Sequence, residues 1–409
     1  MKLFKKVNIT LAIFIGLVLG ILLGLLVPGT VGWFYSILSV VSSLYMNALN
    51  MMIYPLVFCS IVVGIHGIGS VSKTGKIGGL SLLFFLVTTA VASALGLVLP
   101  RILNLGTGVT IEMTESTVEA TQFTSLLDTL ENLIPSNPIA SFADGNMLQV
   151  LVFALIIGFT ILAVGEKGEP LMAVITSVND VSLKIISVVM YFTPLGVLCS
   201  IATVVEANGT DTILSLATVM IALYVTYFLY VVVFYGGLVR TLGKCSIRKF
   251  FSAVAPAALN AFGTCSSSAT IPLSMKCMEE ELDCPNEITS LAIPLGATVN
   301  MDAVSIVMSF MITFFASACG VEVSVSMMVV ILLANVLLSI GTPGVPGGAI
   351  ASFAALSAMA GLPSGIMGVY ISVNTLADMG ATCVNVLGDL ACCQVLSAQL
   401  GKHKPAETK

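Results

Sequence analysis

The sequence predicts an all-α polytopic membrane protein, with eight transmembrane helices and two re-entrant helical hairpins. Three observations predict it. The 409-residue chain is 57% hydrophobic and only 9% charged, with a mean hydropathy of +1.07. Several apolar runs reach the roughly 20 residues that span about 30 Å of hydrocarbon. Two further apolar segments break in the middle at Gly/Ser/Pro clusters, leaving halves too short to cross. Such backbone is tolerated at membrane depth only where protein or a water-filled cavity satisfies it. The expected location is the plasma membrane, with the lipid bilayer as solvent and no nucleic-acid partner.

The start, MKLFKKVNITLAIFIGLVLGILLGLLVPG, has the basic end and apolar run of a secretory signal. The run is about twice a normal h-region, and no small-x-small cleavage site follows, so it reads as the first transmembrane helix, 8–28. Polar or Gly/Pro breaks place further helices near 32–66, 77–104, 142–165, 169–206, 210–243, 286–319 and 364–400. The two broken segments are 250–283 and 324–361. If all the helices cross and both hairpins return to the side they entered, Lys2, Lys5, Lys6, Lys73, Lys76, Lys167, Arg240, Lys244, Arg248, Lys249, Lys276, Lys402, Lys404 and Lys409 share one side, the cytoplasm. The opposite side receives the 105–141 loop, which carries Glu112, Glu115, Glu119, Asp128 and Glu131 and no Lys or Arg. Both termini are then cytoplasmic, with 403–409 as a tail. The hairpins enter from opposite faces, and paired interruptions of this kind point to a transporter's site at an inverted-repeat interface. Most of the ten cysteines, among them Cys59, Cys199, Cys383, Cys392 and Cys393, lie in apolar segments without metal-ligand spacing and read as small buried hydrophobes.

An acidic side chain at the bilayer centre costs about 2.5–3.5 kcal/mol even on lenient insertion scales. Asp302, Asp378 and Asp389 therefore need a reason. In the last helix, Asp378, Thr382, Asn385 and Asp389 are spaced i, i+4, i+7, i+11 and form one stripe, which Ala381 shares. The two carboxylates lie roughly 16 Å apart along the axis, too far to share a proton, so separate partners, a cation for each, fit better than hydrogen bonds to a neighbouring helix. No intramembrane Lys or Arg is expected to partner them. In LGATVNMDAVSI, Asn300 and Asp302 face in different directions in a regular helix, which predicts an interruption there. Unwinding frees carbonyls at Gly296, Thr298 and Asn300, and these with carboxylate, amide and hydroxyl oxygens make a hard-ligand site suited to Na⁺. Thr88 and Thr89 add hydroxyls, although paired threonines usually back-bond to the previous turn. The tip GTCSSSATIP offers hydroxyls at Ser266, Ser267 and Ser268 near a helix N-terminus, where the dipole favours an anion. The tip SIGTPGVPGGA, 339–349, offers glycine-rich backbone for close approach and hinging. Together they suit the carboxylate of an amino acid whose ammonium sits on Asp378.

These stretches, in this order and with NPIASFADGNMLQVLVFALIIG, NMD and DMGATCVNVLGD, resemble the dicarboxylate/amino acid:cation symporter family over essentially the whole chain. The resemblance implies a homotrimeric, inverted-repeat elevator transporter. It implies a scaffold of 1–76 and 142–206, and a moving transport domain of 77–104 and 207–402 that includes both hairpins. By position, Gly296, Asn300, Asn385 and Asp389 match one family sodium site, and Thr88, Thr89, Asn300 and Asp302 a second. Thr298 with the backbone of Ser339, Ile340 and Thr342 matches a third, so two to three coupled Na⁺ are implied. Asp378 and Thr382 match the residues that take the substrate ammonium. Asn385, Ser267 and the backbone near Ser266 and Val345 match those that take its α-carboxylate.

The departures narrow the substrate. Members that carry acids have an arginine where this chain has Ala381 and a threonine where it has Val304. Archaeal members place another arginine where it has Cys265. A substrate side-chain carboxylate would find no bidentate partner, and an unpaired buried charge is costly. The expected cargo is a small neutral L-amino acid: alanine, serine, threonine or cysteine. Asn374 replaces an acidic residue of some relatives, which bears on the ion count. A sodium- or proton-coupled carrier of acids is the alternative. No enzyme is expected: a hydrolase using Ser267 needs a base, and neither His66 nor His403 is placed to serve mid-membrane. A passive channel would lack concentrative uptake.

Overall fold

In the first helix a repeated glycine faces its neighbour while leucines face outward. Helix α1 (Ile9–Leu26) leaves Ile15, Leu19, Leu22 and Leu26 exposed. On its other side a Cβ at Gly16, Gly20 or Gly24 would meet the carbonyls of Pro194, Leu198 and Ala202 at 2.3, 2.7 and 2.8 Å. Small residues every fourth position let two backbones close up where lipid offers no hydrophobic drive. The structure, a computed structural model, describes residues 9–72, 76–107, 134–144, 146–208, 210–342, 347–363 and 365–400. It has no strand among them. Five helical stretches, within 76–102, 149–186, 214–241, 286–318 and 366–399, are long and apolar enough to cross a bilayer. This is a multi-pass membrane protein.

Helix α2 (Gly32–Ser72) runs past the expected end at 66 and keeps Pro55 inside. Helix α3 (Lys76–Ile102) follows. Of the acidic 105–141 loop, 108–133 lie outside the described residues, as do the tail 403–409 and the lysines at 2, 5, 6, 73, 402, 404 and 409. The short α4 (Pro138–Ala143) starts at Asn137, whose side chain accepts from the N–H groups of Ile139 and Ala140. It precedes α5 (Met147–Val164), so the helix expected at 142–165 is two pieces. The helix expected at 169–206 also divides, into α6 (Glu169–Val189) and α7 (Thr193–Asn208), across a 3₁₀ turn at Met190–Phe192. Pro194, which has no N–H to give, opens the second piece. Helix α8 (Thr210–Leu229) passes through a π-helical turn at Tyr230–Tyr235 into α9 (Gly236–Thr241).

Both broken segments form hairpins. The first pairs α10 (Ile247–Thr264) with α11 (Ser267–Lys276), which ends in a π-helical turn at Cys277–Glu281. Between them lie α12 (Asn286–Val299) and α13 (Asp302–Ala318), the predicted helix interrupted where Asn300 and Asp302 required it. The second hairpin pairs α14 (Val325–Gly341) with α15 (Ala349–Met359), and α16 (Ile366–Gln399) closes the chain. The expectation of short halves holds only for the second arms, of 10 and 11 residues. The first arms have 18 and 17 residues, or about 26 Å of helix. Pairing of the two arms, rather than their length, defines these hairpins.

Helix α1 lies along α7, and α2 packs on α5, α6 and α7. Helix α3 runs along α13, while α16 meets α10, α12 and α13. The stretch 286–318 and helix α16 are almost wholly enclosed. Every described Lys and Arg is exposed. Two stand outside the one-sided charge pattern. Arg101 ends α3 and donates to the Val323 carbonyl at 3.1 Å. Lys184 lies inside the span expected at 169–206, on a helix packed chiefly against α2, so a cation does sit at that depth of the sequence, facing outward. All ten cysteines are free and eight are buried, as small core residues should be.

Candidate functional site

Helix α12 stops at Val299 because Asn300 and Met301 leave helical geometry, at φ −84°, ψ 93° and φ −119°, ψ 46°. That two-residue break turns both Asn300 and Asp302 inward, 1% and 0% exposed. Around Asp302, Thr89 donates its hydroxyl to Oδ1 at 2.6 Å. Tyr235 and Tyr230 donate to Oδ2 at 2.6 and 2.9 Å. Thr88 back-bonds to the Phe85 carbonyl at 3.1 Å, as paired threonines commonly do.

One face of α16 completes a second cluster beside the first. Asn300 Nδ2 donates to Asp389 Oδ1 at 2.8 Å and to the Asn385 carbonyl at 3.0 Å. Its other amide atom, Oδ1, is buried without a partner. The Asn385 side-chain oxygen accepts the Ala303 N–H at 2.8 Å, holding the first turn of α13 against α16. Helices α12 and α16 approach so closely at Gly296 that a Cβ there would lie 2.2 Å from Asp389 Oδ1. Carboxylate and carbonyl oxygens converge on the Asn300 amide in a buried interior, and oxygens of this kind suit a hard monovalent cation.

Three turns of α16 away, Asp378 is half-buried and meets the second hairpin: Gly347 N donates to its Oδ2 at 3.1 Å. Thr382 donates to the Asp378 carbonyl at 2.8 Å and lies 3.5 Å from its Oδ1. The two carboxylates of α16 thus have separate partners, as their spacing requires. The first hairpin's tip turns at Cys265, in the left-handed region at φ 50°. Ser266 then caps α11, accepting the Ala269 N–H at 3.2 Å. Ser267 is buried, and the buried Cys265 lies within electrostatic reach of Asp378. Ala381 and Val304 are buried as well.

Val345, one of the expected carboxylate-binding positions, lies outside the described residues. Within the third expected ion set, the Thr342 N–H donates to the Ser339 carbonyl at 3.2 Å, while the hydroxyls of the set turn to their own helices. Thr298 is exposed and donates to the Leu295 carbonyl at 2.9 Å. Ser339 donates to the Val336 carbonyl at 2.7 Å, and Thr342 to the Leu338 carbonyl at 2.8 Å. Ile340 turns its carbonyl toward α2, where a Cβ on Gly64 would meet it at 3.0 Å.

Sequence reasoning passed over Tyr230 and Tyr235. Their signal was present: YVTYFLYVVVFY, 224–235, holds four tyrosines whose spacing slips from three to five. It also passed over a buried polar cluster on the second hairpin. Asn335 Nδ2 lies 3.1, 2.8 and 2.8 Å from Ser93 Oγ, the Ser305 carbonyl and Ser309 Oγ.

A family model described as the sodium:dicarboxylate symporter family matches residues 9–399. A proton/sodium-glutamate symport protein of Geobacillus stearothermophilus is 28% identical, over 99% of this chain and 97% of its own length. A C4-dicarboxylate transport protein of Bacillus subtilis is 31% identical, over 95% of this chain and 92% of its own length. A C4-dicarboxylate transport protein 2 of Pseudomonas aeruginosa is 30% identical, over 84% of this chain and 80% of its own.

Proposed function

The chain belongs to the sodium:dicarboxylate symporter family, and on that premise we propose that it is a sodium-coupled symporter of small neutral L-amino acids. The carrying observation is the absence of a buried cation among the described residues. Ala381, Val304 and Cys265 are buried and uncharged, and every described Lys and Arg is exposed. A substrate ammonium has a carboxylate to meet, while a side-chain carboxylate has no buried cation. Serine, alanine, threonine and cysteine fit that balance. Asp378 and Thr382 take the ammonium. Asn385, Ser267 and the backbone near Ser266 and Val345 take the α-carboxylate.

The Asn300–Asn385–Asp389 cluster with Gly296, and the Asp302–Thr89 cluster with Thr88 and Asn300, are the two sodium sites of this proposal. Thr298, Ser339, Ile340 and Thr342 form a third, closed by movement of the second hairpin. The scaffold of 1–76 and 142–206 stays fixed within a homotrimer, and 77–104 with 207–402 moves across the plasma membrane as an elevator. Each net charge moved inward is worth about 2.3 kcal/mol per 100 mV, and about 1.4 kcal/mol is a decade of accumulation.

The names of the relatives favour a second reading, a sodium- or proton-coupled carrier of glutamate or C4-dicarboxylates. Uptake of labelled serine, alanine and aspartate into proteoliposomes, with and without an inward sodium gradient, decides between them. Concentrative, sodium-dependent uptake of serine or alanine but not aspartate is expected. Aspartate uptake refutes the substrate assignment, and uptake indifferent to sodium refutes the ion assignment.

A further inference from the structure

The four tyrosines of 224–235 divide into two pairs. Tyr224 and Tyr227 donate to backbone carbonyls of α16, at Leu376 and Ala377, 2.6 and 3.4 Å away. Tyr230 and Tyr235 both aim at one oxygen of Asp302, 2.9 and 2.6 Å away, while Thr89 takes the other at 2.6 Å. In an α-helix, five residues turn through about 500°, which would leave positions 230 and 235 on different faces. The π-helical turn at Tyr230–Tyr235 closes its hydrogen bonds one residue later and brings the fifth residue back over the first. Their ring centroids are 4.9 Å apart. Gly388 makes the remaining room, since a Cβ there would stand 2.3 Å from the Tyr235 hydroxyl. A backbone irregularity and a glycine thus serve to point hydroxyl donors at a wholly buried carboxylate.

We infer that Tyr230 and Tyr235 are positioning residues whose hydroxyls stand in for a coupling cation at Asp302, so that the transport domain can recross the membrane without one. The inference rests on the sodium sites proposed above. A carrier that performs net uptake must return its ion-free domain through the bilayer, where a bare carboxylate is costly. Hydroxyl donors to a charged acceptor are among the stronger hydrogen bonds and lower that cost. They also occupy the lone pairs a sodium ion would coordinate, so ion entry must turn them aside. Tyr230 has somewhere to turn: its hydroxyl already lies 2.9 Å from the Thr88 carbonyl. Exchange of internal for external substrate needs no ion-free return, so the two transport modes separate this role from packing.

The test uses the full-length protein with Tyr235→Phe and, independently, Tyr230→Phe. Radiolabelled sodium binding to the detergent-purified protein is read without substrate. Net uptake and exchange are then read in proteoliposomes, with L-serine, or with L-aspartate where the wild type carries that. Each variant is expected to bind sodium about tenfold more tightly, the scale of one hydrogen bond to a charged group. Net uptake falls more than exchange. Weaker or unchanged sodium binding overturns the inference and makes the hydroxyls ligands or packing groups. Equal loss of both transport modes overturns it too. Where one variant fails to fold, the other carries the same test. Wild-type protein that binds no sodium sinks the sodium sites themselves, and this inference with them.

Discussion

Gly296→Ala isolates the ion-site geometry from the stability of the helix that carries it. Gly296 sits inside α12, where alanine in place of glycine favours the helix by about 1 kcal/mol. The added carbon, however, would lie 2.2 Å from Asp389 Oδ1, 2.6 Å from its Cγ and 3.0 Å from the Phe85 ring. The carboxylate must retreat by about 1 Å to reach even the tightest carbon–oxygen contact. The same Oδ1 accepts the Asn300 amide at 2.8 Å, so that bond breaks as the carboxylate moves. A sodium ion at this site also loses its contact with the displaced carboxylate, a charged contact worth at least as much as a hydrogen bond to a charged group, about 1.5–3 kcal/mol, or about ten- to a hundredfold in an equilibrium. The sodium concentration for half-maximal uptake is therefore expected to rise ten- to a hundredfold, while the Tm in detergent changes little because the helix gain offsets part of the local loss. Sodium titration of proteoliposome uptake measures the first quantity, and thermal unfolding the second. A folded Gly296→Ala protein with wild-type sodium dependence would refute the assignment of Asp389 to an ion site.

Asp378→Ala is expected to abolish substrate binding while leaving radiolabelled sodium binding partly intact; equal loss of both in a folded protein counts against the separation of the two sites. Ala381→Arg should shift preference toward aspartate, read as competition against labelled serine uptake, and a folded variant that still ignores aspartate counts against the pocket reading unless adding Val304→Thr restores it. Asn335→Leu removes the amide that ties α14 to Ser93, Ser305 and Ser309. It should lower stability by about 1–3 kcal/mol, seen as a lower Tm in detergent, and an unchanged Tm would mean that the cluster does not fasten the hairpin.

Much of the site was legible because intramembrane polarity is expensive enough to be placed only with purpose. The i, i+4, i+7, i+11 stripe of α16 needed nothing beyond helical periodicity, and all four residues do lie on that one helix. The Asn300–Asp302 spacing predicted a break from the incompatibility of two inward polar groups two residues apart, and the break is there. The misread elements are those where local irregularity repairs itself within a continuous apolar run. Hydropathy cannot see the 3₁₀ turn at Met190–Phe192 or the π-helical turn at Tyr230–Tyr235, since neither changes composition. For the same reason the tyrosines escaped notice: four amphipathic rings in an apolar helix read as interfacial or core residues until a partner carboxylate from a segment 67 residues away is brought against them.

The hydrogen bond from Gly347 to Asp378 links the proposed substrate pocket to the second hairpin. Gly347 stands just before α15 (Ala349–Met359), so the N–H that reaches Asp378 belongs to the positive end of that helix dipole. In the proposed pocket a substrate ammonium competes for this same carboxylate. Binding it withdraws the negative charge that anchors the hairpin tip, while the substrate's own carboxylate replaces that charge at a helix N-terminus. A neutral amino acid carries both charges, so it can take over the interaction and leave the tip held through itself. An amine without a carboxylate would satisfy Asp378 yet leave the tip unpartnered. Ethanolamine is therefore expected to inhibit serine uptake without being carried. Concentrative ethanolamine transport would refute this coupling between pocket and hairpin.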